Sequence, residues 1–346
     1  MLPIKQCPVP LPAKKILMFK NRYWREYPMW MQVLLFGLMI FTLVSFFTVV
    51  ASVIVPKLTG YTAVEAIGIT TSSSGLLIDA FLLMQTLYSI GIFLAPALLF
   101  SYFTHPSPAE YLGLRKPGKN IQWLLVTIVM LSALPILLGI QAIVSSFDLG
   151  ESIRKAQERN EEVTKAILTM KTFTAFVKAF VVFAIIPAIA EELMFRGIAM
   201  RMIHSRSRKI GVAIAVSAFL FAMFHSSPTG LLSIFFAGVL LGTIYYLTGS
   251  IWLSMLAHLI NNGLQVVVIY IGNSNPAIKT FVEGDNIPWQ WPVMGLVVFS
   301  ASFYLLWKYR TPLPDDWSDN FKGEEREDNR WDFEKKDDEG QNDQLN

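Results

Sequence analysis

The chain has little charge and almost no cysteine, and each shortage excludes something. Charged side chains make up 16% of its 346 residues, against roughly 25% in an ordinary soluble domain. Its single cysteine, Cys7, rules out an intrachain disulfide and any cysteine-based zinc site. The strong zinc signature HExxH is missing. So is the internal symmetry of the inverted repeats from which many transporters are built. No nucleic-acid partner is expected.

Long apolar runs fill the space that charge leaves. Hydropathy and helix breakers mark eight, near 30–55, 76–102, 121–145, 175–203, 210–227, 230–248, 251–272 and 291–309. Several reach the ~20 residues that cross a bilayer. The expected fold is therefore all-α, a polytopic membrane bundle of about eight transmembrane helices. The first run, from Trp30 to about Val55, is too long for a signal-peptide core and is expected to be retained. Gly238 and Gly242 have the GxxxG spacing that lets a second helix backbone approach closely.

Lysine and arginine set the orientation. The N-terminal flank carries Lys14, Lys15, Lys20, Arg22 and Arg25, and Arg115, Lys116 and Lys119 follow the second run. Arg201, Arg206, Arg208 and Lys209 follow the fourth, and Lys308 and Arg310 the eighth. Eight spans put all four clusters on one side, so an integral protein of a bacterial inner membrane with both termini cytoplasmic is expected. The organisation is a basic N-terminal segment (1–29), a bundle (30–310) with its core at 173–272, and an acidic tail (311–346). Residues 146–171 mix both charges and read as an amphipathic or solvated helix outside the bilayer. The tail has 13 acidic and 5 basic side chains, a net −8. It reads as disordered, and a partner for it is unknown.

Ionisable groups within apolar runs cost about 2.5 kcal/mol or more each at the bilayer centre, so they point to function. Glu191, Glu192 and Arg196 lie in "AEELMFRG". Residues i and i+4 share a helix face, so Glu192 pairs with Arg196 while Glu191 projects elsewhere. Pro187, one turn earlier, cannot donate to the Phe183 carbonyl, which then needs a side chain or water. Two of the four histidines, His225 and His258, also fall in apolar runs, and Asn262 shares a face with His258.

"EELMFR", "FAMFH" and "HLINN" fit EExxxR, FxxxH and HxxxN. In that order, on neighbouring spans, they resemble the three motifs of the CPBP intramembrane proteases, which include type II CAAX prenyl endopeptidases and bacteriocin-processing and immunity relatives. The resemblance covers roughly 170–272. It implies hydrolysis of a peptide bond in a membrane-associated or lipid-modified peptide. Glu191 would be the catalytic glutamate, Glu192 and Arg196 its supporting pair, His225 the residue that orients water, and His258 and Asn262 the oxyanion donors. Physical chemistry agrees, because an apolar cavity disfavours a carboxylate's charge and makes it a better base. An imidazole and an amide on one face offer two donors.

The favoured reading needs no cofactor. The alternative is zinc held by Glu191, His225 and His258, leaving Glu192 as base. With straight spans His225 falls about 10 Å from the depth of Glu191 and His258, a mismatch that tilt or a shifted boundary must close. Competing functions are a catalytically silent scaffold or immunity factor of the same fold, and a proton-coupled transporter.

Overall fold

The computed structural model describes residues 23–170, 172–225, 227–275, 278 and 288–319. Among these there is no strand. Seven helices are long and apolar enough to cross a membrane: α1 (Met29–Thr59), α2 (Gly75–Thr104), α3 (Ile121–Ser145), α5 (Phe173–Ser207), α7 (Leu231–Thr248), α8 (Ile251–Gly272) and α9 (Gln290–Lys308). Two more helices of over ten residues join them, a polar α4 (Glu151–Leu168) and a short apolar α6 (Ile210–Met223), with shorter helices at Ala63–Ile67 and Pro108–Tyr111. The fifth expected span is thus a 14-residue helix, and the expected eight become seven of spanning length plus one short.

An all-apolar helix surface has two uses in a bundle, and both are visible. Outward faces carry bare hydrophobes, such as Phe41, Leu58 and Met294, which suit acyl chains. Inward faces lock through small residues and large apolar side chains. A Cβ on Gly238 would come within 3.0 Å of the Ala218 Cβ, and one on Gly242 within 3.3 Å of Ile214. The GxxxG face of α7 therefore lies directly against α6. Phe195 of α5, Leu241 of α7, Leu253 of α8 and Met130 of α3 join one buried cluster in the middle of the bundle.

α4 is the charged helix expected outside the bilayer. Its exposed faces carry i,i+4 pairs such as Lys155–Glu151, each worth a few tenths of a kcal/mol. Ala166 and Ile167 pack it against Ile69, Leu82 and Val182 of the bundle, and hydrogen bonds add to that contact. Thr229 Oγ1 donates to Gln157 Oε1 at 2.9 Å, and Arg159 donates to the Ile67 carbonyl at 3.2 Å.

The opposite end gathers both ends of the described chain. Gln122, at the start of α3, donates to the Tyr309 carbonyl beyond α9 at 3.1 Å. The Thr311 and Leu313 amides donate to the Leu247 and Tyr246 carbonyls at the end of α7. Ser318 meets His204 at 2.7 Å, and Asp319 pairs with Arg208. Residues 311–319, grouped with the acidic tail in the sequence, are therefore docked on the bundle. The remainder of the tail, 320–346, and residues 1–22 of the basic segment lie outside the described residues.

The depth mismatch at His225 has a simple resolution. α5 runs to Ser207, and Arg208 turns the chain in a left-handed conformation (φ 56°) into α6. Glu191 lies about 24 Å back from this turn along α5, and His225 about 22 Å forward from it, at ~1.5 Å per residue. The hairpin brings the two level. α5 ends four residues later than the expected boundary at 203, while α6 begins at Ile210 as expected.

Candidate active site

α5 is irregular where it matters. Its ladder loosens into π-helical turns at Val181–Ile185 and Leu193–Ala199, on either side of Pro187 and the glutamate pair. Such turns re-aim side chains and free backbone groups. The Phe183 carbonyl, one turn before Pro187, receives the Asn262 side-chain amide at 3.1 Å. A side chain from α8 thus meets the need that the proline creates.

All six residues singled out in the sequence converge here. Glu192 is the fully buried hub. Its Oε1 accepts from Arg196 at 2.8 Å and from His258 Nδ1 at 2.9 Å, and its Oε2 lies 2.5 Å from the Ser254 hydroxyl. Arg196 also donates to the Gly238 carbonyl at 3.0 Å and lies over the Phe221 ring at 4.7 Å. A buried ion pair is tolerable only when its remaining donors and lone pairs are satisfied, and here three helices satisfy them.

Each imidazole is oriented through its Nδ1. His258 Nδ1–H donates to the Glu192 carboxylate, and His225 Nδ1–H donates to the Phe221 carbonyl at 2.8 Å. That leaves both Nε2 atoms pointing toward Glu191. His225 Nε2 is 4.0 Å and His258 Nε2 3.9 Å from Glu191 Oε2. This oxygen is buried and has no hydrogen-bond partner among the described residues. The His258 Nε2 also takes an N–H from Asn262 at 3.2 Å, and Asn261 donates to Asn262 Oδ1 at 2.9 Å. Both hydrogens of the Asn262 amide are therefore committed, one to Phe183 and one to His258.

Two contributors escaped the sequence reading. Ser254 lies one turn before His258, so extending the His258–Asn262 face back by four residues finds it. Phe221, the first residue of "FAMFH", was quoted only as motif spacing. It supports Arg196 with its ring, His225 with its carbonyl, and stands edge-on to His258 at 5.6 Å.

His225 also lines an open groove of ≈430 Å³ with Met223, Leu231 and Pro228 on one side and Ala156 and Arg159 of α4 on the other. Of the six site residues the groove is lined by His225, on the α4 side of the bundle.

The donor set Glu191, His225 and His258 is chemically suited to zinc. However, zinc with bonds of 2.0–2.2 Å needs its donors about 3.3 Å apart, and the Glu191 oxygen is 4.0 and 3.9 Å from the two nitrogens. Among the described residues no group of three such side chains is close enough to hold a metal ion. The arrangement as it stands does not fit the ion.

Residues 173–264 match the family model described as type II CAAX prenyl endopeptidase Rce1-like. The match spans well under half of the chain and contains all six site residues. Over that segment the resemblance drawn from the three motifs is shown, and it implies a membrane-embedded protease. No curated protein and no solved structure matches the chain.

Proposed function

We propose that the chain is an intramembrane endopeptidase in which Glu191 activates water against a peptide bond. The observation that carries the reading is the buried, unpartnered Glu191 Oε2 facing two imidazole nitrogens at 4.0 and 3.9 Å. Those separations are too long for direct hydrogen bonds and suit groups bridged through one water molecule.

Glu191 takes a proton from that water, and the oxygen attacks the scissile carbonyl carbon. His225 Nε2, a lone-pair acceptor because Nδ1 carries the proton, holds the second water hydrogen. The tetrahedral intermediate collapses with cleavage of the C–N bond, and Glu191 returns its proton to the departing amine. Glu192 and Arg196 take no proton. They fix His258, and through its Nε2 the Asn262 amide. Asn262 becomes an oxyanion donor by turning the N–H it shares with His258 toward the substrate carbonyl, an exchange that costs one hydrogen bond and gains a charge-assisted one. Such donors contribute about 10²–10³ in rate. The substrate is a membrane-anchored or lipid-modified peptide entering along the groove at His225, and no metal takes part.

The test is a comparison of membrane-peptide termini in cells carrying the wild-type chain or Glu191→Ala. Termini that vanish with the variant identify the substrates. Identical sets in the two strains would make the protein a silent scaffold. Zinc chelators are expected to leave cleavage by purified protein unchanged, and inhibition reversed by added zinc would assign Glu191 to a metal instead.

A further inference from the structure

A second polar cluster lies at the end of the bundle where the described termini meet, away from the glutamates, and nothing in the proposed chemistry uses it. Arg201, one to two turns beyond Arg196 on α5, is held between two aromatic rings. Its guanidinium carbon is 4.6 Å from the Tyr111 centroid and 4.9 Å from that of Trp317. Tyr245 of α7 stands edge-on to Trp317 at 5.8 Å. Three buried polar atoms here have no hydrogen-bond partner among the described residues: Arg201 Nε, Tyr245 Oη and Trp317 Nε1.

Two of these three are donors only, and Tyr245 can donate. Buried polar groups normally find partners, so orphans of one kind grouped together ask for the complementary group. Among the described residues no carboxylate supplies it. Glu110 is paired with Arg115 and Asp319 with Arg208, while Arg201 forms no ion pair among the described residues. The surroundings are electropositive. His105, just past α2, is pushed down to about 3, first by burial and then by the charges of Arg25, Arg201 and Arg115.

The Tyr245 hydroxyl is deliberately accommodated. A Cβ on Gly113 would fall within 2.9 Å of the Tyr245 ring carbon that bears it, and Gly113 has φ +77°. Only glycine combines that conformation with that approach. A cavity of ≈140 Å³ borders Trp317, with His204, Arg208 and Asp315 also in its wall.

We infer that Arg201, Tyr245 and Trp317 form a binding site for a phosphate-type oxyanion. An oxyanion supplies acceptors to all three donors and balances the arginine charge, which water does not. The level in the bundle suits the source. The cluster lies where α2 ends and α5, α7 and α9 finish their apolar runs, the depth at which lipid phosphates replace hydrocarbon. A lipid phosphodiester and free inorganic phosphate present the same chemistry.

Purified full-length protein in dodecyl maltoside, a detergent without phosphate, with or without added phosphatidylglycerol, separates them. Native mass spectrometry and thermal melting are read for wild type, Arg201→Gln and Tyr245→Phe, each with and without added inorganic phosphate. Expected is retention of phosphatidylglycerol, or stabilisation by phosphate, by the wild type. Arg201→Gln should weaken binding at least tenfold and Tyr245→Phe two- to fivefold, with peptide cleavage unchanged. Tyr245→Phe keeps the ring and so tests the site even if Arg201→Gln does not fold. Equal binding by wild type and Tyr245→Phe, or no phosphate-dependent effect on wild type in either form, would overturn the assignment and leave the donors to water.

Discussion

At the scale of single residues, two adjacent glutamates meet different surroundings because a helix turns 100° between them. Glu192 is bound by Arg196, His258 and Ser254, whereas Glu191 faces the imidazoles. Arg196→Ala leaves a buried carboxylate without its cation and should destabilise the protein by about 3–5 kcal/mol. Ser254→Ala removes one hydrogen bond to that carboxylate and should cost about 1.5–3 kcal/mol. Thermal or chemical unfolding in detergent measures both, and a Ser254→Ala protein as stable as wild type would contradict the role given to the hydroxyl. His105 provides a pH signature outside the membrane-spanning helices. Its Nδ1 accepts the Ser107 amide at 2.9 Å, and its proton affinity in the fold is lowered to about 3. The unfolded chain binds a proton below about pH 6.5 where the folded chain does not. Stability is therefore complete above about 6.5 and falls as pH drops toward 3. His105→Asn keeps an acceptor and cannot titrate, so its melting temperature should fall less steeply over that window. Parallel curves for the two proteins would contradict the assignment.

At the scale of elements, the glycines of α7 decide how closely α6 can lie. Gly238→Leu should lose about 1–3 kcal/mol or more through overpacking, since its Cβ alone would press on Ala218 at 3.0 Å. Gly211→Ala, in α6 with nothing within 4 Å, should be neutral or slightly stabilising, because alanine favours helix. Equal losses from the two would mean that helix propensity rather than close packing is at work. Much at this scale was legible in the sequence. The spacing of "EELMFR", "FAMFH" and "HLINN" carried the helix faces, and Pro187 announced that the Phe183 carbonyl needed a partner. The π-helical turns left no such trace, since no residue type specifies them. The level of His225 was hidden too. Hydropathy reports where the apolar run fades, whereas level is set by where the chain turns, at Arg208. Ser254 was readable in principle, but serine in an apolar helix more often bonds its own backbone, as Ser132 does to the Ile128 carbonyl, and so draws no notice.

At the scale of the molecule, the described ends, Tyr23 and Asp319, lie at one end of the bundle and α4 at the other. The groove at His225 opens beside α4, on the side opposite those ends. Cys7→Ser gives a cysteine-free background in which Lys116→Cys and Glu158→Cys should label from opposite sides of the membrane, Lys116→Cys from the cytoplasm. Labelling of both from one side would break the topology. The central claim is narrower and more directly tested. The turnover rate of a membrane-anchored peptide by purified protein should drop about 10²–10⁴-fold in Glu191→Gln, the range for losing a general base, while its melting temperature stays at or above that of wild type. Cleavage by Glu191→Gln at the wild-type rate would contradict the account.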